Sequence, residues 1–375
     1  MSLVNFEVQQ PYITPSQLLL AMDKVIPSQT ITNAIISTST LEQRQRILPT
    51  HVVVVLVIAM SFWSSDSIVS VFKNLIHGFA SLRIPELIRF KTPTSSSITE
   101  ARQRTGASVM TRLFEMVAKP LATVLTPDAF LGGLRIMAVD GTVMDVPETQ
   151  ENARVFGYPG SRPGTHPAFP KARLVFLVEA GTHLITDAFI SPYRIGERKG
   201  ALKLLRSVSD GMLLMWDRGL HSFKMVNAKV HLNGRKTPIR SKNPREVVQE
   251  IYGWLLGHYC IRCLMFQSAE KVGLSPLRLS FTGTLRVVRR AIPVFQIAIE
   301  MFPDINVFFS WLISEIKDLK IPPPQHRSNP RVVKKTRSKF QSKKRCHRNN
   351  GTPRQLLSFQ IFRKASLFTS IWAIP

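Results

Sequence analysis

Acidic residues are scarce. The 375-residue chain carries 24 Asp and Glu against 50 Lys and Arg, a formal charge of +26. Such an excess repels itself unless a polyanion offsets it, which points first to nucleic acid, with membrane surfaces and ribosomes exerting the same attraction. Cysteine is sparse too: Cys260, Cys263 and Cys346 are too few for a disulfide framework, so packing must hold the core. Long apolar runs are missing. The longest, Val52–Trp63, falls short of the roughly 18 residues needed to cross a bilayer. With Pro49 before it and SSDS after it, the run reads as a buried helix. The opening MSLVNFEVQQ lacks the basic-then-apolar order of a secretory signal, so a reducing cytoplasm and no membrane partner are expected.

What is present is organised in blocks. Apolar residues three and four apart around Leu18, Leu19, Met22, Val25, Ile31 and Ile35 predict helix within 13–48. With 51–63, SIVSVFKNLIHGFASL (67–82) and the stretch from SITEARQR onwards, they predict an all-helical N-terminal domain over residues 1–125. Thr99 and Glu100 are expected to open the SITEARQR helix. From about 134 the period shortens: LRIMAV runs into Asp-Gly, and ARLVFLVEAGTHLITDAFISP (172–192) is two strands whose join the glycine marks as a hairpin. KGALKLLRSV is helical, MLLMWD is a further strand, and HSFKMVNA is another helix. That order predicts an α/β fold, a mixed sheet with flanking helices, over residues 126–300. ARVFGYPGSRPGTHPAFPKAR (153–173) reads as a Gly/Pro-rich loop, and NPREVVQEIYGWLLGHYCIRCLMFQSA as a long helix. Residues 301–375, basic and proline-dotted, read as a largely disordered tail.

Two carboxylates stand out. Asp140 and Asp217 each close an apolar run and are soon followed by a glycine, 141 and 219, that would let the chain turn away. Ends of neighbouring strands converge, so two acids there can share a hard cation such as Mg²⁺ or Mn²⁺. An Asp in such a position is equally at home capping a loop or helix, and the pattern alone leaves both readings open. HYCIRC (258–263) offers one Cys-x-x-Cys without the second pair a zinc site needs, so buried thiols are expected.

MAVDGTVMDVPET and LLMWDRGLHS, with their acids 77 residues apart, resemble the first two catalytic blocks of bacterial insertion-sequence transposases of the DDE class, in the branch with a YREK signature. LEQRQRILPTHVVVVLVIAMSFWSSDSIVSVFKNL resembles that branch's helical N-terminal domain, and NGRKTPIRSKNPREVVQEIYGWLLGHYCIRCLM its closing helices. The resemblance implies an RNase H-like catalytic domain in which Asp140 and Asp217 bind Mg²⁺ or Mn²⁺ for two-metal phosphoryl transfer on DNA. It also implies terminal-repeat and target DNA as partners, a homo-oligomer or a mixed oligomer with full-length transposase, and a place in the cytoplasm at the nucleoid. Arg162, Lys171, Arg173, Arg218 and Lys229 are the candidate DNA contacts.

The third acid of the pattern is not found. Its signature (Tyr, two residues, Arg, three, Glu, six, Lys) has only Lys229 as a candidate survivor, which implies an internal deletion. Glu246 reads as part of a capping box with Asn243, Glu250 as a helix-surface residue and Glu197 as charged-loop material. Two functions follow: a transposase that cuts and joins DNA, or a catalytically dead DNA-binding remnant that inhibits intact transposase.

Overall fold

The computed structural model describes residues 20–42, 48–81, 92–160, 167–216, 239–301, 304–322 and 358–361. Five helices come first: α1 (Ser28–Ser37), α2 (Thr50–Phe62), α3 (Ile68–Ser81), α4 (Ser95–Thr105) and α5 (Ser108–Val117). Pro27 delays the first of them relative to its apolar spacing. α4 opens five residues earlier than expected, because Thr94 rather than Thr99 is its N-cap: Thr94 Oγ1 accepts the Ser97 N–H at 3.2 Å and Thr99 lies inside the helix. α2 is apolar on every side and buried from Val52 to Phe62, as a helix surrounded by others must be. No helix among the described residues is long and apolar enough to cross a membrane.

The sheet follows: β1 (Phe130–Leu131), β2 (Leu134–Asp145), β3 (Lys171–Glu179), β4 (Leu184–Pro192), β5 (Met212–Trp216) and β6 (Ser358–Ile361). Its order is β4-β3-β2-β5-β6, with β1 also on β2. All pairs are antiparallel except β2 with β5, which is parallel. The hairpin expected at 172–192 forms, but its glycine is needed for a different reason. The left-handed φ falls on His183, whereas a Cβ on Gly181 would stand 2.4 Å from Ala129 Cβ. Helix α6 (Gln150–Phe156), capped by Thr149, occupies the start of the stretch expected to be loop.

Helix α7 (Glu197–Leu204) covers one sheet face and α8 (Pro244–Glu270) the other. Alternation along the strands sets Met137 and Val139 with Val175, Leu177 and Leu214 towards Ala201 and Leu204 of α7. Leu174 and Phe176 point the opposite way, and Phe176 meets Trp254 of α8 with ring centroids 6.4 Å apart. α8 is buried along most of its length because it lies between that sheet face and α2. Two further helices, α9 (Phe281–Met301) and α10 (Ile305–Lys317), complete the layer. The stretch expected as tail therefore begins as ordered helix: Leu312, Ile313 and Ile316 are buried in the same cluster as α2 and α8. One core thus runs through helices from both ends of the chain.

Cys260 and Cys263 sit in that core on α8. Burial pushes both thiols up, so neither is a thiolate near neutral pH. Iodoacetamide at pH 8 should therefore leave both unmodified in the native protein and label both in denaturant, read by peptide mass spectrometry. Labelling of either in the native state would contradict this packing.

Candidate active site

Asp140 is 3% exposed and lies inside β2 rather than at its end. β2 outlasts the expected limit because β3 continues to pair with it as far as Asp145–Lys171. On its other edge the described pairing with β5 reaches Val139–Trp216, one residue before Asp140. Its Oδ1 accepts the Gly141 N–H at 2.9 Å, and its register partner is Phe176, which places it on the face towards α8.

Gly141 makes no turn. A Cβ there would stand 2.9 Å from Glu197 Cδ, so the missing side chain makes room for the first residue of α7. Glu197, expected in a charged loop, accepts from Arg173 Nη1 at 2.8 Å. The Arg173 guanidinium also covers the Tyr193 ring at 4.8 Å. Lys171 pairs with Asp145 at the end of β2. Of the sequence candidates for DNA contact, Lys171 and Arg173 are thus held in ion pairs, on the sheet face opposite Asp140. Asp217, Arg162, Arg218 and Lys229 lie outside the described residues.

The other glutamates considered from sequence are also placed. Asn243 caps α8 by accepting the Arg245 N–H at 2.9 Å, with Pro244 at the first position. The reciprocal half of a capping box is absent: Glu246 is buried and its Oε1 has no hydrogen-bond partner. Glu250 is buried rather than superficial and accepts from the backbone N–H groups of Arg240 and Ser241 and from the Ser241 hydroxyl. Beside it Arg102 donates from Nε to Gln249 at 2.9 Å and from Nη2 to Ser241 Oγ at 2.9 Å and the Glu246 carbonyl at 3.2 Å. This network ties α4 to the start of α8. Sequence reading missed it, since residues 139 to 147 apart leave no local signal. Among the described residues, no three His, Cys, Asp or Glu side chains gather as a metal site. Asp140 supplies one hard oxygen donor of the right kind.

Comparison with known proteins bears on what these acids serve. Residues 16–115 match the family model for the insertion element 4 transposase N-terminal region. The chain is 26% identical over 211 residues to the transposase InsG for insertion sequence element IS4 of Escherichia coli strain K12, covering 56% of this chain and 46% of that protein. Over these stretches the chain is similar to transposases of insertion sequence IS4. It is also 29% identical over 127 residues to the putative transposase InsZ of the same strain, covering 34% of the chain and 42% of that protein. The chain spans less than half the length of the curated relatives it matches. No solved structure matches it. The matched N-terminal stretch contains α1 to α4 and most of α5, so Arg102 joins the family-matched helices to α8.

Proposed function

We propose that the chain acts on DNA as an insertion-sequence transposase, with Asp140 and Asp217 as the first two acids of a DDE-type site in an RNase H-like sheet. One observation carries this reading. The described parallel register of β2 and β5 reaches Val139–Trp216, and in the sequence an aspartate directly follows each of these two residues. Similarity to IS4 transposases supports the transposase reading as a whole.

In this reading the two aspartates would hold Mg²⁺ or Mn²⁺, which would activate a water or 3′-hydroxyl and stabilise the leaving oxygen at the scissile phosphate. The chain's own contribution is to fix Asp140. The strand backbone sets its position and the Gly141 N–H holds one oxygen. The basic surface of the chain draws the polyanionic substrate, terminal-repeat and target DNA, to the site. Cleavage of a labelled duplex carrying the element's own end, with Mg²⁺ or Mn²⁺, tests the reading. Asp140→Asn and Asp217→Asn should each cut nicking by about 100-fold or more. Nicking that survives either substitution rejects it.

A second reading has a specific observation in its favour. Glu197, Glu246 and Glu250 are each taken up by packing or by a structural partner, which suits an internal deletion that removed the third acid. The chain would then be a DNA-binding remnant that inhibits intact transposase through shared ends or mixed oligomers. Salt-sensitive binding of the duplex with no metal-dependent nicking would favour it.

A further inference from the structure

We propose that the outer face of α7, with Arg194 just before it, is a track for the phosphodiester backbone of duplex DNA. The inference rests on the reading that the chain acts on DNA, and it adds a surface that neither the motifs nor the relatives point to. RIGERKGALKLLR (194–206) holds five basic residues and one acid. The acid, Glu197, is turned inward and neutralised by Arg173, so it subtracts nothing from the outer face. Arg206 is committed to Asp187 at 2.9 and 3.0 Å. Arg194, Arg198, Lys199 and Lys203 are exposed, and none has an ion-pair partner among the described residues.

These cations stand on a firm base. The inner side of α7 presents Gly200, Ala201 and Leu204, all buried, and a Cβ on Gly200 would stand 2.6 Å from Val175 Cγ2. The helix therefore lies directly on the sheet and presents its charges from a fixed line. Arg198 to Lys203 spans about 7.5 Å of helix, close to two steps of a DNA strand at roughly 3.4 Å per phosphate. Glu197 touches Gly141, the residue after Asp140, so the line starts against the same strand but on the sheet face opposite the Asp140 carboxylate. Lys171 and Arg173 spend their charge within the fold. The next helix presents three that are unspent, and Arg194 just before it adds a fourth.

The test measures binding of the full chain to a labelled duplex of arbitrary sequence across a salt series. The variants are Arg194→Gln/Arg198→Gln/Lys199→Gln/Lys203→Gln and, as a charge-preserving control, Arg194→Lys/Arg198→Lys. Each lost phosphate contact lowers the slope of log affinity against log salt by about 0.9, so the neutralised variant should lose about 3 to 4 from the slope. The lysine control should keep the wild-type slope. An unchanged slope in the neutralised variant, on a duplex that the wild type binds, overturns the track and leaves the transposase reading intact. Polyglutamate that outcompetes duplex on the wild type assigns the face to an acidic protein and overturns it as well. A wild type that binds no duplex overturns both.

Discussion

Gly253→Leu is expected to leave no folded protein, and Gly253→Ala to lower the melting temperature by roughly 1 to 4 °C. The cause is the crossing of α2 and α8. A Cβ on Gly253 would stand 2.6 Å from the Val57 carbonyl oxygen and 2.6 Å from Val57 Cγ1. One turn along, a Cβ on Gly257 would stand 1.9 Å from Ser61 Oγ and 3.0 Å from Ser61 Cβ. The serine hydroxyl could rotate away, but the Val57 carbonyl is fixed in its helix, so relief at Gly253 requires the helices to separate. Separation loosens the core at its centre, because α8 also carries the sheet through Trp254 and Phe176. Overpacking of this kind costs about 1–3 kcal/mol for a methyl group and more for a larger side chain. The sign is diagnostic, since Gly→Ala at an uncrowded helix position gains up to about 1 kcal/mol. Thermal melts followed by circular dichroism decide the matter, and a Gly253→Leu protein that melts like the wild type would refute the crossing.

Arg102→Met and Arg262→Met should move stability in opposite directions although both arginines are buried. Arg102 is surrounded by acceptors: Gln249, Ser241 and the Glu246 carbonyl, with the Glu250 carboxylate nearby raising a guanidinium pKa that burial lowers. Removing it strands those groups in the interior, which costs about 3–5 kcal/mol. Among the described residues, Arg262 has no carboxylate to face. Its Nε lacks a hydrogen bond, Nη1 reaches only Met265 Sδ at 3.9 Å, and the guanidinium lies over the Phe281 ring at 4.9 Å. Burial alone pushes its pKa down to about 10. The sign follows from linkage: the folded state holds this proton less tightly than the unfolded chain, so the charged group opposes folding throughout the range below about 10. The penalty at neutral pH is about 3 kcal/mol. Arg262→Met keeps a flexible apolar chain in the space and should stabilise by about 1–3 kcal/mol, allowing for the lost ring contact. Denaturant melts of both variants at pH 7 give the comparison. Loss of stability in Arg262→Met would mean that its charge has a counterpart.

Periodicity and composition, which are local properties, were enough for several conclusions. The run of Val52–Trp63 is too short for a membrane and too apolar for a surface, so a buried helix was the remaining solution. The two strand-like runs of 172–192 meet at a short join that contains Gly181, which makes a hairpin. Asn243-Pro244 starts a long helix for reasons contained in four residues. The net charge followed from counting.

Only the tertiary structure decided the rest, because strand limits, faces and partners depend on what lies alongside. Asp140 looked terminal since an apolar run ends there, yet β2 continues for as long as β3 pairs with it. Gly141 looked like a hinge and is a gap filled by Glu197. Lys171 and Arg173 looked like free cations until the fold brought Asp145 and Glu197 to them. Arg198 and Lys199 carry the same charge in the sequence, but the helix turns them outward. A side chain's type is written in the chain, whereas whether its charge is spent inside the fold or offered to a partner depends on residues far away in sequence. For this protein that distinction separates a structural ion pair from a surface for DNA.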